Sequence, residues 1–535
     1  MLLILGLFFI IAAPKIDSVE ITGNRVISKG DLLRAMGITP GQAASDGEIE
    51  SVISKALEEY ARRGRPFATI NYSLQPKGEN STKLILIVNE GREIKLGDVR
   101  IVGNSILNES EIRRTLGLQR RGEFDHERFR KGVHKVLRIY AERGHPLARI
   151  RTTNFHLSED RTRLSFDVMI EEGPPVRISD VKVSGLKKTK PDVILRQLPI
   201  KPGMSYRQSL VDETVRLLRN MPYIYDVDPA VIERGERDEE VVFNASVTEA
   251  RTGRIEGLLG YAPPEIPGGE ASLTGTILIH EMNILGTGRS LYFEWRSTES
   301  RQVELRYLEP WLLNRPLDLS LRYLRRREGI KSYGLSLIGR LGVRYFVEGG
   351  LSYERAELER ESRRAIKFDG NLRRDSRDYI LNPRAGNVEE IGFGVTTGDY
   401  SLKRITAGAQ LYLPTWGNHV LAIGAHLGKL FGGDIPSHEL FSLGGANTLR
   451  GYTEGWFQGR SMAYVNLEYR FLTGLSSHLF GFVDLGTADP PQVEISYGLG
   501  GRLESRSGRL NVYYGLARGD SILGGKIHVS LGTAF

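Results

Sequence analysis

Val19-Glu20-Ile21-Thr22-Gly23-Asn24 alternates apolar and polar side chains and then turns at a glycine. The same text returns as Val99-Arg100-Ile101-Val102-Gly103-Asn104 and, more loosely, as Val181-Lys182-Val183-Ser184-Gly185-Leu186. Such alternation before a turn is a half-buried strand, and its recurrence makes the first half of the chain a repeat array. Downstream, Ile49, Val52, Ile53, Ala56, Leu57 and Tyr60 recur at helical spacing. Tyr60-Ala61-Arg62-Arg63-Gly64 and Tyr140-Ala141-Glu142-Arg143-Gly144 close matching helices on a glycine suited to a left-handed cap. Pro66-Phe67-Ala68 and Pro146-Leu147-Ala148 open a further strand, and Leu84–Val88 and Leu164–Val168 form the last, before turns at Glu90-Gly91 and Glu172-Gly173. Each unit reads β-α-α-β-β over roughly 80 residues, a workable domain size. The units span 14–91, 92–174 and 175–250, the third with Met221-Pro222-Tyr223 in place of the Tyr and Gly of its sisters. Residues 1–13 read as a candidate signal peptide cleaved after Ala13. They lack a basic start, and an ordinary buried strand or helix is the alternative.

The repeat resembles the POTRA domain, the periplasmic module of outer-membrane assembly factors. The resemblance implies that the repeats hold client chains by strand addition at an open sheet edge, where unpaired backbone groups read no particular sequence. A plain spacer is the alternative.

From Arg251 to the end, helical periodicity gives way to alternating segments split by Gly, Pro, Asn and charged turns. Leu317, Leu319, Leu321 and Tyr323 alternate with Asp318, Ser320 and Arg322. Ala463, Val465, Leu467, Tyr469 and Phe471 alternate with Tyr464, Asn466, Glu468 and Arg470. One apolar and one polar face suits a membrane barrel or a soluble sandwich. Segment length decides for the barrel: about 16 segments, each near the length that crosses a bilayer. The expected fold is three α+β repeats followed by an all-β transmembrane barrel, residues 251–535, of about 16 antiparallel strands. Trp295, Tyr307, Trp311 and Trp416 suit interfacial girdles, and Phe535 suits a C-terminal barrel signal.

Four stretches resemble the assembly-factor barrels of the BamA and TamA type. They are Asn283–Arg289, then Arg374–Asp378 with Asn382–Gly386, then Leu443–Tyr452, then Phe482–Gly486. Any one is weak, but they stand in the family's order behind POTRA-like repeats. The resemblance implies that Leu449-Arg450-Gly451-Tyr452 tips a long extracellular loop, between strands 11 and 12, that folds into the lumen. There Arg450 would pair with acids on the inner wall. Glu468 and Asp484 have the lumen-facing parity on the next two strands. It also implies that the seam between first and last strands opens to template a client strand. Gly524 and Gly525 precede that last strand.

Composition and motifs point away from enzymes and nucleic-acid binders. The 535 residues are 40% hydrophobic and 26% charged, with no cysteine, which removes disulfides and thiolate metal sites. Mean hydropathy is −0.26, and no internal run has the length of a membrane helix. The net charge of +8 is interleaved with acids and lacks aromatic-basic motifs, so no nucleic-acid partner is expected. No nucleophile elbow or P-loop occurs. His280-Glu281 lacks the second histidine of a zinc protease, and Asp226-x-Asp228 reads as a turn before Pro229. No enzyme activity, cofactor or metal is expected. The function implied is an insertion or translocation factor in the cell outer membrane, its repeats in the periplasm. A two-partner-secretion-type channel and a passive porin are the alternatives. The partners implied are unfolded outer-membrane or secreted clients, outer-membrane lipids, and accessory lipoproteins or an inner-membrane protein. Three repeats lean towards TamA.

Overall fold

The computed structural model describes residues 15–534 except 39–40, 42–44, 79–80, 119–123, 263–271, 298–301, 327–328, 359–360, 490–491 and 505–507. Residues 1–13 and Phe535, read above as leader and barrel signal, lie outside the described residues. The chain divides into two compact units. One holds the first two repeats; the other holds most of the third repeat together with the barrel.

The first repeat runs β1 (Lys15–Thr22), α1 (Lys29–Met36), α2 (Asp46–Arg62), β2 (Thr69–Pro76) and β3 (Ser81–Asn89). The second runs β4 (Lys95–Val102), α3 (Glu109–Thr115), α4 (His126–Glu142), β5 (Arg149–Leu157) and β6 (Arg163–Glu171). In both, the last strand lies centrally, parallel to the first and antiparallel to the middle one, giving orders β1-β3-β2 and β4-β6-β5. Helices cover one face, burying Tyr60 or Tyr140 with the apolar parity of the central strand. Side-chain caps start α1, α3 and α4: Ser28, Asn108 and Asp125 each accept the N–H three residues on. The third repeat has β7 (Arg177–Ser184), α5 (Pro191–Leu195), α6 (Gln208–Arg219), β8 (Ile224–Val227), β9 (Val231–Arg234) and β10 (Glu240–Glu249), in order β7-β10-β8 with β9 also on β10.

The recurring glycine has one cause in all three repeats. Gly23, Gly103 and Gly185 have φ of 83°, 87° and 87°. A Cβ there would sit 2.0–2.1 Å from the carbonyl oxygen of Val88, Ile170 or Val247. Only glycine tolerates both constraints. The glutamate ending each repeat clamps the same turn. Glu90 accepts from the N–H of Arg25 and Val26 at 2.7 Å and from the Tyr60 hydroxyl at 3.2 Å. Glu172 accepts from Ser105 N–H (2.7 Å), Ile106 N–H (2.8 Å) and the Tyr140 hydroxyl (2.9 Å). Glu249 accepts from the N–H groups of Lys187, Lys188 and Thr189, all at 2.8 Å.

Burial alone would raise the Glu172 carboxyl, but hydrogen bonds from the Ser105 hydroxyl, two N–H groups and Tyr140 outweigh it and hold it near about 2. A depressed carboxyl stabilises the fold above its unfolded value, near 4.5, and that contribution fades as pH falls towards about 2. Pepsin cleavage around Ser105 in the intact protein should therefore set in across that window. In Glu172→Gln it should occur even at the upper end of the window. A variant with an unchanged acid profile would show that the clamp contributes nothing.

Among the described residues the barrel closes over 16 strands. They are β11 (Gly253–Ala262), β12 (Ser272–Ile284), β13 (Arg289–Ser297), β14 (Gln302–Glu309), β15 (Leu317–Arg326), β16 (Ile330–Leu341), β17 (Tyr345–Leu358), β18 (Glu361–Asp375), β19 (Gly386–Gly398), β20 (Leu402–Pro414) and β21 (His419–Phe431). After two short strands, β22 (Phe441–Leu443) and β23 (Phe457–Gly459), come β24 (Ser461–Leu472), β25 (His478–Ala488), β26 (Glu494–Glu504), β27 (Gly508–Ala517) and β28 (Lys526–Ala534). Its burial is inverted relative to a soluble fold. Phe393, Ile391, Phe368, Leu427 and Leu499 are exposed, whereas Glu294, Glu304, Asp318, Glu354 and Asp484 are buried. Apolar residues outside and charge inside are what a lipid-embedded barrel requires. These acids are paired locally: Glu304 with Arg306 (2.6 Å) and Arg322 (2.8 Å), Glu294 with Arg296 (2.6 Å), and Asp318 with Arg340 (2.6 Å).

Closure is uneven. β11 pairs with β12 over ten residues, Gly253 to Ala262. It meets β28 only through Arg254↔Ala534, Ile255↔Thr533 and Glu256↔Gly532 among the described residues. The glycine bearing on this seam is Gly532, where a Cβ would lie 2.6 Å from Glu256 Oε1. Gly525 instead makes room for the Tyr514 ring, and Gly524 has no close backbone neighbour.

Candidate functional site: a loop folded onto the inner wall

Residues 432–460 join the eleventh and twelfth strands, β21 and β24, and antiparallel β22 and β23 narrow the loop to a stem. Beyond the stem, Leu443–Tyr452 turns back against the barrel wall. Gly444, Gly445 and Gly451 take φ of 116°, 94° and 96°. Gly451 and wall residue Gly515 meet backbone to backbone: a Cβ on Gly515 would sit 2.8 Å from Gly451 N. Leu449 and Leu443 fill the space left by Gly486, and Leu449 is fully buried.

This packing delivers Arg450, 6% exposed, to the acids of β24 and β25. Its Nε and Nη2 donate to the two oxygens of Asp484 at 2.8 and 2.6 Å, and its backbone N–H donates to Asp484 Oδ2 at 3.0 Å. Nη1 reaches Glu468 Oε1 at 2.5 Å. The guanidinium lies 3.8 Å from the centroid of the Phe482 ring, which covers its face. A bidentate, stacked, desolvated guanidinium is a site built for arginine. Asp484, with no exposed area, also accepts from Asn466 Nδ2 at 2.8 Å, and that amide bonds Thr448 O at 2.7 Å. Glu468 is shared with Arg470. Gly451 and Tyr452 carry the contact onward. Lys526 Nζ, on the last strand, donates to Gly451 O at 2.6 Å, and the Tyr452 hydroxyl donates to Glu494 at 2.8 Å. Asn466 and Lys526 were not singled out from sequence, although both have the inward parity of their strands.

Two other motifs meet the third repeat. Asn283–Arg289 is the β12–β13 turn. Asn283, fully buried, donates to Thr189 Oγ1 at 2.9 Å and accepts from Gly288 N–H at 2.8 Å. Gly286 (φ 72°) approaches so closely that a Cβ would lie 1.9 Å from Lys188 O. The segment from Arg374 to Gly386 links β18 to β19. Arg216 of α6 donates to Arg377 O at 3.1 Å, and Ile380 N–H donates to Asn220 Oδ1 at 2.8 Å. Glu213 of α6 receives Arg344 in two hydrogen bonds, 3.0 and 2.7 Å, and pairs with Arg216 at 2.8 Å. Trp311 is no girdle residue of the lipid face: Arg196, in the third repeat, lies 5.5 Å over its ring.

Residues 283–535 match the Omp85 superfamily domain, and 14–91, 94–173 and 176–250 match POTRA, described as a surface antigen variable number repeat. The chain is 23% identical to the outer membrane protein assembly factor BamA of Nitratidesulfovibrio vulgaris, over 98% of the chain and 84% of that protein. It is 24% identical to a putative outer membrane protein assembly factor of Treponema pallidum, over 58% of the chain but only 38% of that longer protein. In fold it is similar to CdiB from Escherichia coli, with a TM-score of 0.51 at 14% identity, covering 83% of the chain and 90% of CdiB.

Proposed function

Because this chain belongs to the Omp85 superfamily, with three POTRA repeats ahead of its barrel, we propose that it inserts or translocates client polypeptides at the outer membrane. The barrel lies in that membrane and the repeats in the periplasm. Clients are unfolded outer-membrane or secreted chains, held by the repeats and passed to the barrel; outer-membrane lipids, accessory lipoproteins or an inner-membrane protein are its further partners. No covalent step is assigned to it: the driving force is the client's own strand pairing. The observation that carries the reading is the seam, held among the described residues by three residue pairs where its neighbour has ten, beside an inner loop that reaches the last strand through Lys526. A strand edge so lightly paired exposes backbone donors and acceptors at small cost, and a client strand satisfies them.

The test is reconstitution in liposomes with an unfolded barrel client. Client folding should be faster than in empty liposomes. A disulfide engineered across the register pair Ile255↔Thr533 should remove the acceleration until it is reduced. An undiminished rate with the seam locked would sink the templating account. Conductance without acceleration would favour a secretion channel or passive pore.

A further inference from the structure

The loop's root carries a second cluster of buried charge, apart from Arg450. Glu439, 4% exposed, receives Lys367 Nζ (2.5 Å), Arg404 Nη2 (2.5 Å) and the Tyr400 hydroxyl (2.8 Å). Glu354 on β17 shares two of these partners, Lys367 at 2.7 Å and Tyr400 at 3.1 Å, and meets His438 Nε2 at 3.1 Å. Apolar packing surrounds the cluster: Ile435, Leu440 and Phe441 of the loop lie against Ala365, Tyr400, Leu402 and Leu430. Gly428 leaves the space that the Phe441 ring enters.

Glu354, His438 and Glu439 are of metal-ligand type, with donor atoms within 4.8 Å of one another. The Lys367 ammonium already bridges both carboxylates and the Arg404 guanidinium pairs with Glu439, so the two negative charges are balanced by the protein's own two cations. Buried carboxylates so fully satisfied fix geometry, since losing one partner leaves the others desolvated and unpaired.

We propose that Glu439 is a positioning residue that latches the root of this loop to the seventh, eighth and tenth strands independently of the Arg450 latch on the twelfth and thirteenth. This rests on the reading of the loop as the working part of an insertion barrel. The root latch divides the loop into two separately held segments. The tip can leave Asp484 while the root stays in place as the fixed point about which the tip moves and to which it returns.

The chain has no cysteine, so single spin labels report cleanly. Ser437 at the root and Asn447 at the tip are both exposed. Each is replaced by a labelled cysteine in the full-length protein in liposomes. Glu439→Gln should lose the immobilised spectrum at 437 and keep it at 447; Arg450→Ala should do the reverse, and the double variant should free both. Heat-modifiable migration checks that the barrel is folded, and Tyr400→Phe, which removes only one hydroxyl from the cluster, serves if Glu439→Gln fails to fold. Glu439→Gln leaving 437 immobile, or freeing both sites together, would overturn the proposal. So would tight Zn²⁺ binding by the wild type that Glu354→Gln removes, since the cluster would then be a metal site. Loss of client acceleration in the wild type would sink the insertion reading and leave the label result standing.

Discussion

Arg450→Ala should give a barrel that folds and inserts but no longer accelerates client folding. The substitution removes every side-chain contact the loop tip makes to Asp484 and Glu468. It leaves two buried carboxylates short of a cation, a change that costs about 3–5 kcal/mol when a buried pair is broken. That cost falls on the loop. The 11 register pairs between β24 and β25 remain, and Asp484 keeps Asn466 while Glu468 keeps Arg470. Arg450→Lys should recover only part of the activity, because an ammonium cannot span both Asp484 oxygens and Glu468 at once. The measurement is the half-time for a client to reach its heat-resistant form. Wild-type half-times in Arg450→Ala would mean that the buried ion pair is a passive brace.

The second large effect should come from Glu213→Ala. Glu213 is 9% exposed and is the shared acceptor for Arg344 and Arg216. Burial raises its carboxyl, but the hydrogen bonds from Arg344 and then Arg216 prevail and hold it at about 2. Deleting it leaves two facing guanidinium groups and forfeits charge-assisted bonds worth about 1.5–3 kcal/mol each. Helix α6, which carries Arg216, and Asn220 just after it should then loosen from the 376–380 segment, and exchange of the Ile380 amide with solvent should quicken markedly. In the wild type the sign is that of a depressed carboxyl. The contact holds above about 4.5 and weakens as pH falls towards about 2. Unchanged exchange at Ile380 would show that the turn is held by Asn220 alone.

Much of the fold was legible because its periods are short. Alternation placed Glu468 and Asp484 inward from residue parity alone, and the repeated Val-x-Ile-x-Gly text announced the repeats. The inward position of Arg450 came from family resemblance, since a long loop has no period to read. The Glu439 cluster was invisible for a different reason. Residues 354, 367, 400, 404 and 439 come from three strands and two loops, and only strand register brings them together. The role of Asn283–Arg289 was hidden likewise: the turn was recognisable, but its partner, Lys188-Thr189, lies 94 positions away in the Asn283–Thr189 bond. The glutamates closing each repeat were legible as turn residues, since Glu90 and Glu172 both stand before a glycine at the same point of their units, but their clamping of a turn some 65 residues earlier was not.

The paired charges inside the barrel have an electrical consequence. Glu294 with Arg296 and Asp318 with Arg340 form compact dipoles, whose field falls off more steeply than that of a lone charge, whereas Glu304 with its two arginines carries one net positive charge. Screening by salt shortens its reach further. A current passing this wall when the loop tip moves aside should therefore favour anions slightly, so its reversal potential in a salt gradient would be small and of the anion-selective sign. The paired stretches of the wall are correspondingly indifferent to the sign of charge on a polypeptide beside them, while the Glu304 group alone turns a cationic one away.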